Sequence, residues 1–317
     1  MSPRVTVLLP VYNAMPHLRY TVESLQNQTL EDFEVLVFDD GSTDGSPGYL
    51  DSIDDPRFAV VHQENVGLAV TLNRMLERVD TEYVARIDSD DIALPGRLEK
   101  QLAFMDSHPE AAVVGTRAGY VMGRKSMASL GIGRARLRLS YGPAMATPPW
   151  WHPDLDGDIL VHSSVMMRVE MLQEVGGYPE IVPGQDLALW YRFAEEGRKL
   201  ASMDEILMLV RISPAGISSS NLALQARTWE YIRMSHRMRQ GGEEPPSLDS
   251  YLRDRPQSAE MMEYRAMKAE FRGACGMLLA GNVLRGLWRI ARVSARRPKI
   301  LTRMITSRIG WGAGNAA

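Results

Sequence analysis

The chain has 317 residues, room for one sizeable domain plus an appendage or for two small domains, and its 45% hydrophobic and 24% charged content is that expected of a soluble globular protein. Its single cysteine, Cys275, excludes an intrachain disulfide framework, no apolar run is long enough to span a bilayer, and no charged-then-apolar leader opens the chain, so a cytoplasmic protein is expected. The net charge of −3 hides an asymmetry: the chain carries −12 before residue 271, then nine basic residues and no acidic one. Such a block predicts an anionic partner, either a membrane surface or nucleic acid.

Val5 to Leu9, ended by Pro10, predicts a buried strand, and Leu18, Val22 and Leu25 recur at helical spacing. Phe33 to Phe38 predicts a second strand, closed by the turn-forming Asp39-Asp40-Gly41-Ser42. Phe58 to Val61 predicts a third, followed by a helix carrying Leu68, Leu72, Met75 and Val79 on one face. Tyr83 to Ile87 is the fourth, Pro95-Gly96 introduces a helix with Leu98, Leu102 and Met105 inward, and Ala111 to Val114 is the fifth. Strands alternating with helices at this pitch predict an α/β fold with a mainly parallel sheet covered on both faces.

Residues 116 to 160 are rich in Gly, Pro and Arg and read as an excursion over the sheet edge. Order returns with a strand from His162 to Arg168, a short helix ending at Gly176-Gly177, a helix from Asp186 to Glu196 and a strand from Ile206 to Ile212. Residues 1–239 are expected to form the main domain, 240–258 a linker and 259–317 a basic helical extension.

The densest chemistry is RIDSDD, Arg86 to Asp91, where Asp88 and Asp90 point the same way if the strand continues. Two carboxylates that close repel unless a cation, a proton or an arginine joins them, and oxygen ligands suit Mg²⁺ or Mn²⁺ together with substrate phosphates. Alone, the segment reads first as a solvated turn, because Asp-rich turns are common. Ligands of parallel sheets bind beyond the carboxyl ends of the strands. Pro10-Val11-Tyr12-Asn13, Asp39-Asp40 and Asp88-Ser89-Asp90 all fall there.

Taken together, VTVLLPVYNA (5–14), FEVLVFDDGSTDG (33–45), NVGLAVTLN (65–73), RIDSDDIALPGRL (86–98), HSSVMMRVEMLQEVGGY (162–178) and QDLALWYR (185–192) resemble the family 2 glycosyltransferases. The resemblance covers residues 4 to 220 and implies a GT-A fold, a Rossmann-like mixed sheet flanked by helices, and inverting transfer from a nucleotide sugar. It implies donor contacts from Pro10, Val11, Tyr12, Asp40, Asn65, Asp88, Ser89 and Asp90, with Asp90 the main metal ligand and Asp88 beside it. Asp186 becomes the base that deprotonates the acceptor hydroxyl, although an aspartate there is also a good helix cap. Gln185 becomes an acceptor contact, His162 either faces the acceptor or is a satisfied core histidine, and Trp150 and Trp151 either stack on the acceptor or pack as loop anchors. Arg97 reads as a phosphate partner or a surface ion pair, and Asp91 as a structural residue.

Two positions depart from the family pattern: Gln185 stands where Glu is common, and Ser213 where many relatives carry a histidine that helps hold the metal–diphosphate. No QxxRW signature of processive relatives follows Asp186, which favours transfer of a single sugar. The resemblance implies a nucleotide-sugar donor, a UDP-sugar before others, a glycan or lipid-linked acceptor and a place in bacterial cell-surface polysaccharide synthesis. In the tail, Leu284, Leu287, Trp288 and Ala291 share one helical face and Arg285, Arg289, Arg292 and Arg296 another. That pattern suits an anionic membrane surface or a helical hairpin docked on the main domain, and lacks the interleaved aromatics of a nucleic-acid binder. The rivals are a sugar-nucleotide pyrophosphorylase, which would want a Gly-rich basic loop after the first strand, and a degenerate transferase acting as a scaffold.

Overall fold

The computed structural model describes residues 2–121, 140–141, 150–151, 160–211, 222–254 and 288. Its strands are β1 (Val5–Val11), β2 (Glu34–Asp40), β3 (Phe58–Gln63), β4 (Tyr83–Arg86), β5 (Ile92–Ala93), β6 (Ala111–Val121), β7 (Ser140–Tyr141), β8 (Trp150–Trp151), β9 (Met166–Arg168) and β10 (Lys199–Arg211). Its helices are α1 (Leu18–Gln26), α2 (Ser46–Leu50), α3 (Leu68–Leu76), α4 (Arg97–Ser107), α5 (Val169–Glu174), α6 (Gln185–Glu195), α7 (Leu222–Gln240) and α8 (Leu248–Asp254).

The strands form one mixed sheet in the order β3-β2-β1-β4-β9-β6-β10-β5, with β7 on β6 and β8 on β10. The first four members are parallel; β9 enters antiparallel between β4 and β6, β10 runs parallel to β6, and β5 closes antiparallel on β10. This is the mainly parallel, helix-flanked sheet that the alternation of segments predicts.

Side-chain alternation along the strands divides the core in two. Leu8, Leu36, Phe38, Val84, Val113 and Met167 share one cluster with Leu72 and Met75 of α3, Leu172 of α5 and Trp190 of α6. Val7, Leu9, Val35, Val37, Val114 and Met166 share the other with Leu18, Val22 and Leu25 of α1 and Leu98 and Met105 of α4. Each fully buried aliphatic side chain contributes about 1.5–3 kcal/mol, so both helix layers are held by their inward stripes.

Several boundaries differ from expectation for local reasons. β1 runs through Pro10 to Val11. Ile87 N–H donates to the Leu8 carbonyl at 3.2 Å, so Pro10 faces the β4 side two residues further on, past the last rung, where no N–H is needed. His162–Ser164 is one 3-10 turn instead of strand, because Ser164 Oγ donates to the Val161 carbonyl at 2.8 Å and its backbone N–H does so at 2.7 Å. Leu248–Asp254, within the expected linker, is helical; Ser247 Oγ accepts from Ser250 N–H at 3.2 Å at its N-terminus. β5 is too short for any period to announce.

The chain divides into two compact units, Met1–Ser213 with Thr228–Pro246, and Pro214–Arg227 with Ser247–Ala317. Ser213 and the basic tail lie outside the described residues except for Trp288, which is helical and exposed.

Candidate active site

The carboxyl ends of β1 to β4 and of β10, the 3-10 turn and the N-terminus of α6 supply the candidate residues. Arg86 closes β4, and Asp88 to Asp91 form a tight turn in which Asp91 N–H donates to the Asp88 carbonyl at 3.1 Å. Asp88 N–H donates to Ser163 Oγ at 2.9 Å, tying the turn to the 3-10 segment. Thr21 Oγ1 of α1 donates to the Asp91 carbonyl at 2.8 Å. From β10, Arg211 donates its backbone N–H to Asp91 Oδ1 at 2.8 Å and its Nε–H to the Asp90 carbonyl at 2.9 Å.

The turn's acids separate by environment. Asp88 is part-exposed and ion-paired with the buried Arg86. Asp90 is pushed up to about 6, first by burial and then by repulsion from Asp88, with Arg211 opposing. Asp91 is buried and held well above the usual carboxylate range by burial and its two acidic neighbours, and serves as an internal anchor. Ser89 is part-exposed on the turn.

Asp186 lies in the first turn of α6 and is part-exposed. Burial raises its carboxyl above the ordinary range, while a hydrogen bond from Leu187 N–H and the charge of Arg86 pull it back. Gly184, before α6, has φ of 128°, and an added Cβ there would meet Ile232 at 3.1 Å and Thr228 at 3.3 Å, so α7 backs the approach to Asp186. Gln185 is buried and its Oε1 accepts from Gly184 N–H at 3.2 Å.

His162 lies beneath this surface: its Nε2 meets the Tyr178 hydroxyl at 3.1 Å and its ring stands edge-on to Trp190. Burial and Arg86 keep it well below the usual imidazole range, hence neutral. Burial raises the Tyr178 hydroxyl, so it stays protonated. Trp150 and Trp151 form β8 against Leu200 and Ala201.

On the other flank, Asp40 is buried and accepts from Gln63 Nε2 at 2.7 Å, Val66 N–H at 2.9 Å and Gly67 N–H at 3.0 Å, so its carboxylate organises the loop entering α3. Asn65 in that loop is exposed. Pro10 and Val11 are buried in β1, and Tyr12 presents an exposed ring at its end. Asn13 Oδ1 accepts from Thr43 N–H at 2.8 Å, and Asn13 N–H donates to Ser42 Oγ at 2.9 Å, knitting the loops after β1 and β2.

Arg97 is neither a phosphate partner nor a surface residue. It is fully buried, donating to the carbonyls of Arg86 at 2.7 Å and Val165 at 3.1 Å and to Gln101 Oε1 at 2.9 Å. Helical inwardness places it with Leu98, which its charge concealed. Arg86, Arg211, Ser163 and Tyr178 are the site residues that sequence reasoning passed over; only Arg86 carried a local signal, its place at the end of an apolar run.

The profile described as Glycosyl transferase family 2 matches residues 6–175. TuaG of Bacillus subtilis, assigned as a teichuronic acid biosynthesis glycosyltransferase, is 32% identical over 240 residues, covering 75% of this chain and 90% of TuaG. The amylovoran biosynthesis glycosyltransferase AmsE of Erwinia amylovora is 30% identical over 236 residues, covering 72% and 81%. Among solved structures, S. aureus TarS 1–349 in complex with UDP-GlcNAc has a TM-score of 0.58 at 17% identity, covering 94% of this chain and 92% of that one. The mannosyltransferase PcManGT of Pyrobaculum calidifontis, in complex with GDP-Man and Mn²⁺, has a TM-score of 0.55 at 21% identity, covering 97% and 84%. The fold is of the GT-A type. This chain is a glycosyltransferase belonging to glycosyl transferase family 2.

Proposed function

We propose that this enzyme transfers a single sugar, with inversion, from a nucleotide-sugar donor, a UDP-sugar before others, to a glycan or lipid-linked acceptor in cell-surface polysaccharide synthesis. The observation that carries this is the pairing of an acidic turn, Asp88 to Asp90, with a part-exposed carboxylate of raised pKa, Asp186, both acting on Arg86. One is suited to the donor diphosphate and the other to the acceptor hydroxyl. The names of TuaG and AmsE support a polysaccharide product, and those of the TarS and PcManGT complexes support a nucleotide-sugar donor.

In this scheme Asp186 accepts the proton of the acceptor hydroxyl as that oxygen bonds to the anomeric carbon and the bond to the nucleoside diphosphate breaks. A base whose pKa is raised toward the working pH suits that task and contributes about 10²–10⁴-fold. The donor-side residues fit a hard divalent cation. Asp88 and Asp90 are oxygen ligands whose mutual repulsion raises Asp90, and no cluster of three or more His, Cys, Asp or Glu side chains that could hold a metal occurs among the described residues. Two carboxylates plus substrate phosphates are the usual share for Mg²⁺ or Mn²⁺. Such an ion would neutralise charge on the departing diphosphate. Tyr12 and Asn65 flank the expected nucleotide side; Asp40 shapes it through the 65–67 loop, with one of roughly four lone-pair positions left for a ligand. The basic segment beyond Glu270 would bring the enzyme to the anionic inner face of the cytoplasmic membrane.

The test is thermal unfolding with UDP, GDP, UDP-GlcNAc and GDP-mannose, with and without Mn²⁺, for wild type and Asp90→Asn. Mn²⁺-dependent stabilisation by one nucleotide class, lost in D90N, is expected; no stabilisation by any of them overturns the donor assignment.

A further inference from the structure

The corner Gly176-Gly177-Tyr178 lies between α5 and α6 and is gripped from three directions. From α3, the Asn73 carboxamide meets the backbone of Tyr178 twice: Nδ2 donates to the Tyr178 carbonyl at 2.9 Å, and Oδ1 accepts from Tyr178 N–H at 2.8 Å. From α6, Arg192 Nη1 donates to the carbonyls of Val175 at 3.3 Å and Gly177 at 3.4 Å. From the 3-10 turn, His162 Nε2 holds the Tyr178 hydroxyl at 3.1 Å.

The local sequence suits this grip. Gly176 and Gly177 have φ of 78° and 68°, the left-handed region that glycine enters without steric cost. A Cβ on Gly177 would meet Asn73 Oδ1 at 2.8 Å, so bare backbone is what lets the carboxamide close on Tyr178. Asparagine is a poor helix former, yet here it stands half-buried inside α3 and commits both ends of its amide to a residue 105 positions away. Leu72 and Leu76 on either side of it pack in one cluster with Tyr178, Leu187 and Trp190, so the polar grip has an apolar floor. α3 follows the 65–67 loop that Asp40 organises, and α6 carries Asp186 in its first turn. The corner therefore joins the helix behind that loop to the helix that bears Asp186.

We propose that Asn73 is a positioning residue for Asp186: through the backbone of Tyr178 and the grip of Arg192 it fixes where α6 stands, and with it the carboxylate in its first turn. This rests on the reading of Asp186 as the base made above. Apolar burial holds α6 against the sheet without direction, whereas paired hydrogen bonds define one register. A misplacement of about 1 Å at reacting groups costs on the order of 10²-fold, so a residue remote from the substrate can govern the rate.

The experiment compares wild type with Asn73→Ala, which removes both bonds while favouring the helix, and Asn73→Asp, which removes the donor alone. Hydrogen exchange is followed by mass spectrometry well below melting, and nucleoside diphosphate release is measured from UDP-GlcNAc and GDP-mannose with Mn²⁺ and water as the acceptor. In N73A, exchange over residues 178–188 is expected to quicken about tenfold while that over 65–72 stays as in wild type. The kcat is expected to fall about 10–10²-fold, with KM for the nucleotide sugar unchanged. Wild-type exchange over 178–188 in a folded N73A, or wild-type kcat, overturns the proposal and leaves Asn73 a stabilising residue alone. A raised KM with unchanged kcat also overturns it, by placing Asn73 on the nucleotide side. If N73A does not fold, N73D decides by the same readings. Exchange needs no turnover, so a wild type that releases no nucleotide counts against the proposed function while residues 178–188 still decide on Asn73.

Discussion

Arg211 donates its backbone N–H to Asp91 Oδ1 at 2.8 Å across 120 residues of sequence, joining the end of β10 to the acidic turn after β4. Its side chain extends the link through Nε to the Asp90 carbonyl and lies over the Tyr20 ring at 5.7 Å. The backbone bond survives truncation of the side chain, so Arg211→Ala should loosen Asp90 more than Asp91. It also removes the positive charge that opposes the rise of Asp90, leaving a carboxyl that must lose its proton before binding a cation. Calorimetric titration of Mn²⁺–nucleotide should show affinity about tenfold weaker, or about 1.4 kcal/mol. Unchanged affinity would mean that α1 and Ser163 alone hold the turn.

Asp186 gives a prediction with a definite sign. Burial raises its carboxyl above the ordinary range, so, with Asp186 as the proposed base, activity is lost by protonation at a pH where a solvated aspartate is still ionised. The acid limb of the transfer rate should therefore lie above about pH 4, the region of an unperturbed aspartate. Asp186→Asn should cost about 10²–10⁴-fold in kcat and spare nucleotide binding. Loss of nucleotide binding in D186N would move this residue from the acceptor side to the donor side.

The sheet was legible because the unbroken apolar run Val7-Leu8-Leu9 and the helical spacing of Leu18, Val22 and Leu25, four and then three residues apart, are local signals read within one element. Asp88, Asp90 and Asp186 were legible as candidates for the same reason, since each falls at the end or start of a patterned segment. Their partners were not. Nothing near Asp40 indicates that backbone N–H groups 26 and 27 residues later converge on its carboxylate, and Arg211 lies 121 residues from the carbonyl it meets. Arg97 was misjudged because a charged residue in an otherwise amphipathic helix reads as solvated until the carbonyls around it are known. Tertiary hydrogen bonding, not propensity, decided those positions.

Gly41 tests the nucleotide flank through backbone alone. It has φ of 76°, and an added Cβ would meet Asn65 N at 2.8 Å, a contact with main chain that cannot rotate away. Gly41→Ala combines left-handed strain of about 1–2 kcal/mol with displacement of the 65–67 loop that Asp40 organises. A melting temperature lower by several degrees should accompany weaker nucleotide binding, both measurable by thermal shift with and without nucleotide. Weaker melting with normal nucleotide affinity would place the ligand away from this loop.

His62, at the end of β3, sets a pH dependence of stability separate from catalysis. Its Nδ1 meets Asp39 Oδ2 at 2.8 Å and its Nε2 meets Asp51 Oδ1 at 3.1 Å, an arrangement that needs both ring nitrogens as donors and so favours imidazolium. The hydrogen bond to Asp39, then that to Asp51, raises its pKa in the folded state. A raised folded pKa means the contribution is fully present below the unfolded value, about 6.5, and is lost as pH rises through the folded value. The side chain is 43% exposed, so solvent screening limits the effect to a fraction of about 1 kcal/mol. His62→Ala should therefore destabilise the protein more at pH 5.5 than at pH 8.5 in urea unfolding. An equal loss at both would show that the ring contributes packing alone, because only the protonated form can bridge the two carboxylates.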